Sequence, residues 1–433
     1  MKVAGELRVP GDKSISHRAL LLAALALGTS RIRRILDAAD VRSTAGALRA
    51  LGADVPALGS EMVVHGRGLA GIQSPSGPLD CGNSGTTARL LAGVVAASPI
   101  VARFVGDASL SRRPMRRVAR PLETMGARFE FEGADGLPMT VRGGPLRGIT
   151  WTNETSSAQV KSAILLAGVV AGVEVSVVEP RRSRDHTERM LAARGVSVTI
   201  VDGRVTAQRD GPLVARDTDV PGDPSSAAFF AALAALASSG ELVLRGVGVN
   251  PTRAGFFDAL GEMGASVRMD SVVELGGEPL ADVVVAPGEL RGIEVGPGRV
   301  PSLIDELPLL ACVAARARGE TRITGAHELR VKESDRISAV VSNLRAVGAR
   351  AEELPDGMVI EGSDGPLAGR VETHGDHRLA MAFGILGALP GNRIVVDDPG
   401  CVAVSFPTFW RQLDLVRSGG TSAREAAEAH ADG

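Results

Sequence analysis

Residues 10–18 read Pro-Gly-Asp-Lys-Ser-Ile-Ser-His-Arg, and residues 19–27 continue as Ala-Leu-Leu-Leu-Ala-Ala-Leu-Ala-Leu. A charged loop therefore runs directly into a helix that is apolar on every side. A helix without a polar face has to be buried. The first N–H groups of any helix lack an intrahelical partner, so a buried start needs side chains or a ligand to satisfy them. Lys13, Ser14, Ser16 and Arg18 crowd this start with donors. Donors, positive charge and the positive end of the helix dipole together describe an anion site.

The same junction recurs. Apolar helical runs lie near 19–27, 87–97, 160–171, 226–237, 306–317 and 378–389, each followed by a Gly or Pro break and a short β-branched run. A second, amphipathic helix follows in most units and ends in glycine, at 52, 126, 195, 264 and 348. Glycine at the C′ position turns left-handed before the next strand. A repeat of this kind is one supersecondary unit that cannot bury its apolar helix alone. Six units in 433 residues give an α/β chain of two domains, each of three units with its helices inside and sheets as walls. Polar helix starts then gather at one end of each domain, and two such ends facing each other would make a cleft. The Gly, Ala, Ser and Glu-rich tail, 418–433, reads as disordered.

Composition removes several function classes. Net charge is −2 and the pI about 6.4, so no basic face points to nucleic acid. Cys81, Cys312 and Cys401 have no metal spacing and suit a reducing compartment. No apolar run reaches membrane-spanning length, and the N-terminus resembles neither a signal nor a transit peptide. Lysine occurs only at 2, 13, 161 and 332, against 48 basic residues in total. A chain that prefers arginine so strongly keeps lysine where a compact ammonium is needed, and Lys13, Lys161 and Lys332 each sit beside a polar cluster.

The other helix starts carry matching chemistry. Small residues from Gly82 to Thr87, ending before Arg89, suit close approach by an anion, or an ordinary capped turn. Pro114 places Arg112 and Arg113 at a helix start, where a phosphate or carboxylate can be forked. Thr155 to Gln159 offers hydroxyls and an amide; His186 reads as a structural histidine. Asp305 and Glu306 open a greasy helix, either as caps or as a base in a dry cleft. Lys332 and Arg336, four apart on a helix, would share one face and call for an anion. Asp376, His377 and Arg378 open the last apolar helix. The sum suits small substrates bearing several negative charges, and no Walker loop or metal motif is present.

These residues closely resemble the EPSP synthase (3-phosphoshikimate 1-carboxyvinyltransferase) family. The resemblance runs from about 3 to about 415 and rests on 10–18, 82–89, 330–336 and 376–381. It implies the enolpyruvyl transferase type of fold, two domains of three βαβαββ units in an inverse α/β barrel-like arrangement. The expected domains are 12–222, and 1–11 with 223–417. Shikimate 3-phosphate would be held by Lys13, Ser14, Arg18, Ser157, Ala158, Gln159, Arg184, Asp305 and Lys332. Phosphoenolpyruvate would be held by Lys13, Gly85, Arg113, Gln159, Arg336 and Arg378. Asp305 would take the proton of the attacking 5-hydroxyl, and Glu333 would deliver a proton to the methylene carbon and later remove one. Neither a metal nor an organic cofactor is implied, and a cytoplasmic monomer is expected.

The sequence departs from the family pattern in places. Ala158 stands where many members have a serine, Val404 where many have a lysine, and Glu328 where some have an asparagine. With 184–188 and 250–253, these departures resemble the subgroup less sensitive to glyphosate, although Gly85 stands where some tolerant members carry alanine. Two other readings compete. The sister transferase acting on UDP-N-acetylglucosamine usually carries Lys-Asn near its start and often a loop cysteine, neither of which is found here. A non-catalytic anion binder would not need Asp305 and Glu333.

Overall fold

The computed structural model describes residues 1–418; the expected disordered tail lies almost wholly outside them. The chain divides into two compact units. One comprises Met1–Pro10, Pro221–Glu274 and the described residues from Pro279 onward; the other comprises Gly11–Val220 and Leu275–Glu278.

The six apolar runs are helices: Lys13–Leu25, Gly85–Ala96 and Ala158–Ala171 in the second unit, and Pro224–Ala235, Leu307–Ala314 and His377–Gly387 in the first. Their side chains fill two separate cores, one per unit. Each fully buried Leu or Phe contributes about 1.5–3 kcal/mol relative to exposure, so such helices are driven inward all round. Packing between two of them is close enough to exclude a side chain. A Cβ added at Gly93 would lie 2.3 Å from the carbonyl oxygen of Ala163 on the neighbouring inner helix.

The walls repeat one pattern. A short strand pairs in parallel with the strand that follows the inner helix, and that strand pairs antiparallel with the next hairpin. Leu79–Asp80 beside Val101–Val105, then Met139–Arg142 and Arg128–Phe131, is one example. Thr150–Thr152, Val175–Val178, Arg204–Gln208 and Ser197–Val201 form another, and Glu294–Val295, Glu320–Ile323, Gly357–Glu361 and Arg350–Leu354 a third. The outer helices end where expected: Gly52, Gly126, Gly195, Gly264 and Gly348 all have positive φ, from 86 to 125°.

In two of the three remaining repeats the leading strand comes from far along the chain. Gly5–Leu7 pairs in parallel with Leu242–Leu244, and Thr218–Asp219 with Ile32–Arg33. The unit Gly11–Val220 is therefore completed by the last strand of that segment, and the unit that resumes at Pro221 by a strand from the start of the chain.

One inner helix carries a buried histidine. His17 Nδ1 lies 2.6 Å from Thr44 Oγ1. Burial, reinforced by the charges of Lys13 and Arg18, holds His17 well below its ordinary 6.5, so it is neutral in the folded chain. As pH falls below 6.5 the unfolded chain takes up a proton at His17 before the folded chain does, so stability is lost from there downward. Thermal unfolding between pH 7 and 5.5 should show this loss, with a slope of up to about 1.4 kcal/mol per pH unit from this group. The slope should flatten in His17→Gln.

Candidate active site

In the unit containing Gly11–Val220, the starts of the three inner helices are tied together by side chains. Asp12 caps the first, accepting from the N–H of Ile15 at 2.7 Å. Lys13 follows at once, and its Nζ lies 3.0 Å from Asp40 Oδ2. Ser14 presents its carbonyl to Arg18, while Ser16 serves the fold by accepting from the N–H of Leu36. Arg18 donates from Nε to Thr187 Oγ1 at 2.7 Å and from a terminal nitrogen to Ser162 Oγ at 2.9 Å. Burial pulls its guanidinium down to about 10, and Glu188 limits the fall. Arg184 lies close enough for its charge to act on Arg18.

Gln159 links the other two starts. Its amide donates to Thr86 Oγ1 at 2.9 Å and its oxygen accepts from Arg89 at 2.6 Å. Ser157 stands at the N-cap, followed by Ala158 as the first helical residue. Arg113 donates to Asn83 Oδ1 at 2.7 Å. The expectation that Arg112 and Arg113 open a helix is corrected: they follow the short helix Ala108–Ser111, and the next helix begins at Arg116. Tertiary contact with Asn83, rather than a helix start, aims Arg113. Gly85 separates two guanidinium groups, since a Cβ there would lie 2.7 Å from Arg89 Nη1 and 3.5 Å from Arg113 Nη1.

In the other unit, Asp305 sits in the 3-10 turn Ile304–Glu306 that leads into Leu307–Ala314. Four cations approach its carboxylate: Lys332 at 3.4 Å, Arg336 at 3.5 Å, Arg378 at 3.7 Å and Arg253 at 3.9 Å. Arg336 is fully buried and forks Asp376, at 2.8 and 3.1 Å, while also donating to Glu333 at 2.7 Å. Burial alone would lower the pKa of Arg336, but Asp376 and Glu333 outweigh it and hold the pKa above the usual arginine range. Burial works to raise Asp376, and Arg336 overcomes it and keeps the carboxyl below the usual aspartate range. Lys332 and Arg336 do not share a helix face. Lys332 is extended, at φ −82° and ψ −152°, after the 3-10 turn His327–Val331, and the helix starts only at Arg336. Asp305, not a shared helix, brings the two cations together.

The sequence reading missed Asp40, Arg89, Arg253 and the role of Glu306. Glu306 accepts from the Ser225 hydroxyl and lies 3.5 Å from Arg378. Arg253 donates to the same Ser225 oxygen at 2.6 Å. Arg89 lay within the 82–89 motif and Glu306 adjoins Asp305; Asp40 and Arg253 come from segments that only tertiary packing brings near. Among the described residues no group of three His, Cys, Asp or Glu side chains could hold a metal, and no helix is long and apolar enough to cross a membrane.

The EPSP synthase (3-phosphoshikimate 1-carboxyvinyltransferase) family model matches residues 1–413. The chain belongs to this family. It is 49% identical over 421 residues to a 3-phosphoshikimate 1-carboxyvinyltransferase from Sulfurihydrogenibium sp., covering 96% of this chain and 97% of the relative. A second such enzyme, from Xanthomonas campestris pv. campestris, is 50% identical over 408 residues, 94% and 93% of the two chains. The solved EPSP synthase from Acinetobacter baumannii superposes with a TM-score of 0.84 at 41% identity over 96% of both chains. The enolpyruvyl transferase NikO from Streptomyces tendae, 19% identical with a TM-score of 0.76, shares the fold. As an EPSP synthase family member, the chain is separated from the nucleotide-sugar transferase weighed above.

The space beside Gly85 yields a prediction. In Gly85→Ala the new methyl must displace the Arg89 guanidinium. The KM for phosphoenolpyruvate should rise by about tenfold while that for shikimate 3-phosphate stays within about twofold, measured by steady-state kinetics with each substrate varied.

Proposed function

We propose that this chain transfers the enolpyruvyl group of phosphoenolpyruvate to the 5-hydroxyl of shikimate 3-phosphate, giving 5-enolpyruvylshikimate 3-phosphate and phosphate. Membership of the EPSP synthase family supports the activity. The residue roles are supported most by one observation, the Asp305 carboxylate with Lys332, Arg336 and Arg378 all within 3.7 Å.

In the proposed reaction the 5-hydroxyl adds to C2 of phosphoenolpyruvate and its proton passes to Asp305, with Lys332 helping to position it. Glu333 protonates C3, giving the tetrahedral intermediate. The C2–O bond to phosphate then breaks, and Glu333 takes a proton back from C3. Lys13, Ser14, Arg18, Ser157, Ala158, Gln159 and Arg184, with Asp305 and Lys332, hold shikimate 3-phosphate. Lys13, Gly85, Arg113, Gln159, Arg336 and Arg378 hold phosphoenolpyruvate. Preorganised cations aimed at developing charge are the usual main source of rate in such chemistry.

Glu333 is ion-paired with Arg336 at 2.7 Å. The carboxylate of phosphoenolpyruvate at Arg336 would compete with Glu333 for that guanidinium. We further take the chain to act as a cytoplasmic monomer without a cofactor. The departures at Ala158, Val404 and Glu328 support placing it in the subgroup less sensitive to glyphosate.

Phosphate release from phosphoenolpyruvate tests the activity, with shikimate 3-phosphate and UDP-N-acetylglucosamine offered in turn. Release is expected only with the first. In Asp305→Asn, kcat should fall by roughly 10²-fold or more with substrate binding retained, as for loss of a general base. Wild-type turnover in that variant would remove Asp305 from the mechanism.

A further inference from the structure

We propose that the buried cluster of Lys161, Glu179 and Glu188 sets the geometry of the shikimate 3-phosphate subsite, with Lys161 and Asn153 as positioning residues. The inference rests on the assignment of Arg18, Ser157 and Arg184 to that substrate.

Of the three lysines beside polar clusters, Lys161 is the one that the proposed reaction leaves unused. It lies on the inner helix Ala158–Ala171, 1% exposed, with Nζ 2.7 Å from Glu179 Oε2 and 2.7 Å from Glu188 Oε1. Glu179 follows the strand Val175–Val178 and is a hub. It accepts from Lys161, from the backbone N–H of Ser183 at 3.2 Å, from the Ser183 hydroxyl at 2.6 Å and from the Asn153 amide at 3.0 Å. Asn153 also donates to the backbone oxygen of Ser157 at 3.0 Å. The loop that presents Ser157 and Ala158 is thereby tied to the cluster, in a stretch where Ser156 is held at a φ of +48°. Ser183 ties in the segment that carries Arg184.

The third segment is reached through sequence neighbours. Ser162 adjoins Lys161 and Thr187 adjoins Glu188, and these two hydroxyls receive the Arg18 guanidinium. The Lys161–Glu188 pair therefore fixes the separation of the two helices between which Arg18 is stretched. One buried ion cluster thus governs all three segments. Buried ion pairs seldom add net stability, because desolvation offsets their attraction, and an apolar replacement is often as good. A stability role alone gives little reason for a lysine and two glutamates here, whereas fixing three segments in register does. Residues held off by even an ångström lose much of their effect on a bound substrate.

The test uses the full chain. Asn153→Ala cuts the tie between cluster and loop, with the Thr155 hydroxyl's contact to Asn153 Oδ1, Lys161→Met removes the central cation, and Arg18→Gln reports on the subsite itself. Affinity for shikimate 3-phosphate is read by calorimetry, both KM values by steady-state kinetics, and folding by thermal unfolding. In Asn153→Ala, the Kd and KM for shikimate 3-phosphate should rise about tenfold, with the KM for phosphoenolpyruvate within about twofold. Lys161→Met should behave alike where it folds; where it does not, Asn153→Ala decides. An unchanged Kd for shikimate 3-phosphate in Asn153→Ala, or equal rises in both KM values, overturns the inference if Arg18→Gln weakens that substrate. If Arg18→Gln leaves it unchanged, the subsite assignment itself falls.

Discussion

Six helices with no polar side must be enclosed by other protein, and the one place they can offer polar groups is at their ends. That constraint places the chemistry. A buried helix start has unpaired N–H groups, so Asp12, Ser84, Asp223 and Asp376 stand there as caps. The residues that follow each cap are the first that can carry charge while the rest of the helix stays in hydrocarbon. Lys13, Gly85, Ala158 and Arg378 all occupy that first turn.

The cations at these starts, and Arg336 beside the Asp376 cap, are not bare. Lys13 meets Asp40, Arg336 meets Asp376 and Glu333, and Arg378 meets Asp305 and Glu306. A low-dielectric interior would not tolerate so many uncompensated like charges. An anionic substrate taken up at these residues, as proposed, would therefore bind by exchange, replacing one carboxylate with another around a fixed guanidinium. Selectivity for a multiply charged ligand would follow from needing several such replacements at once.

The architecture was legible in the sequence because it is written in local signals. Five of the apolar runs gave the inner helices to within three residues; the first helix starts at Lys13, so the charged stretch Lys13–Arg18, read as loop, is its first turns, Asp12 capping it. The five glycines marked the outer-helix ends, since only a left-handed turn fits there. The candidate site was legible in part. Lys332 and Arg336 looked like helix neighbours because spacing alone cannot reveal the 3-10 turn and extended residue between them. Arg113 needed Asn83, thirty positions earlier, to be aimed. Asp40 gave no motif, and the stretches holding Arg253 and Glu306 gave no hint of their partners, which come from distant segments; no periodicity records a contact of that kind.

The strand exchange has a consequence for synthesis of the chain. Residues 5–7 emerge from the ribosome long before 242–244, their partners in the sheet. Until then that short strand has no edge to join, while the segment from Gly11 to Val220 can complete its own walls first, closed by Thr218–Asp219. The order of translation thus assigns an order of assembly, with the leading peptide waiting as an unpaired ribbon for a half of the molecule not yet made. Cutting the gene at residue 220 would leave one half with a strand it cannot use and the other without a strand it requires.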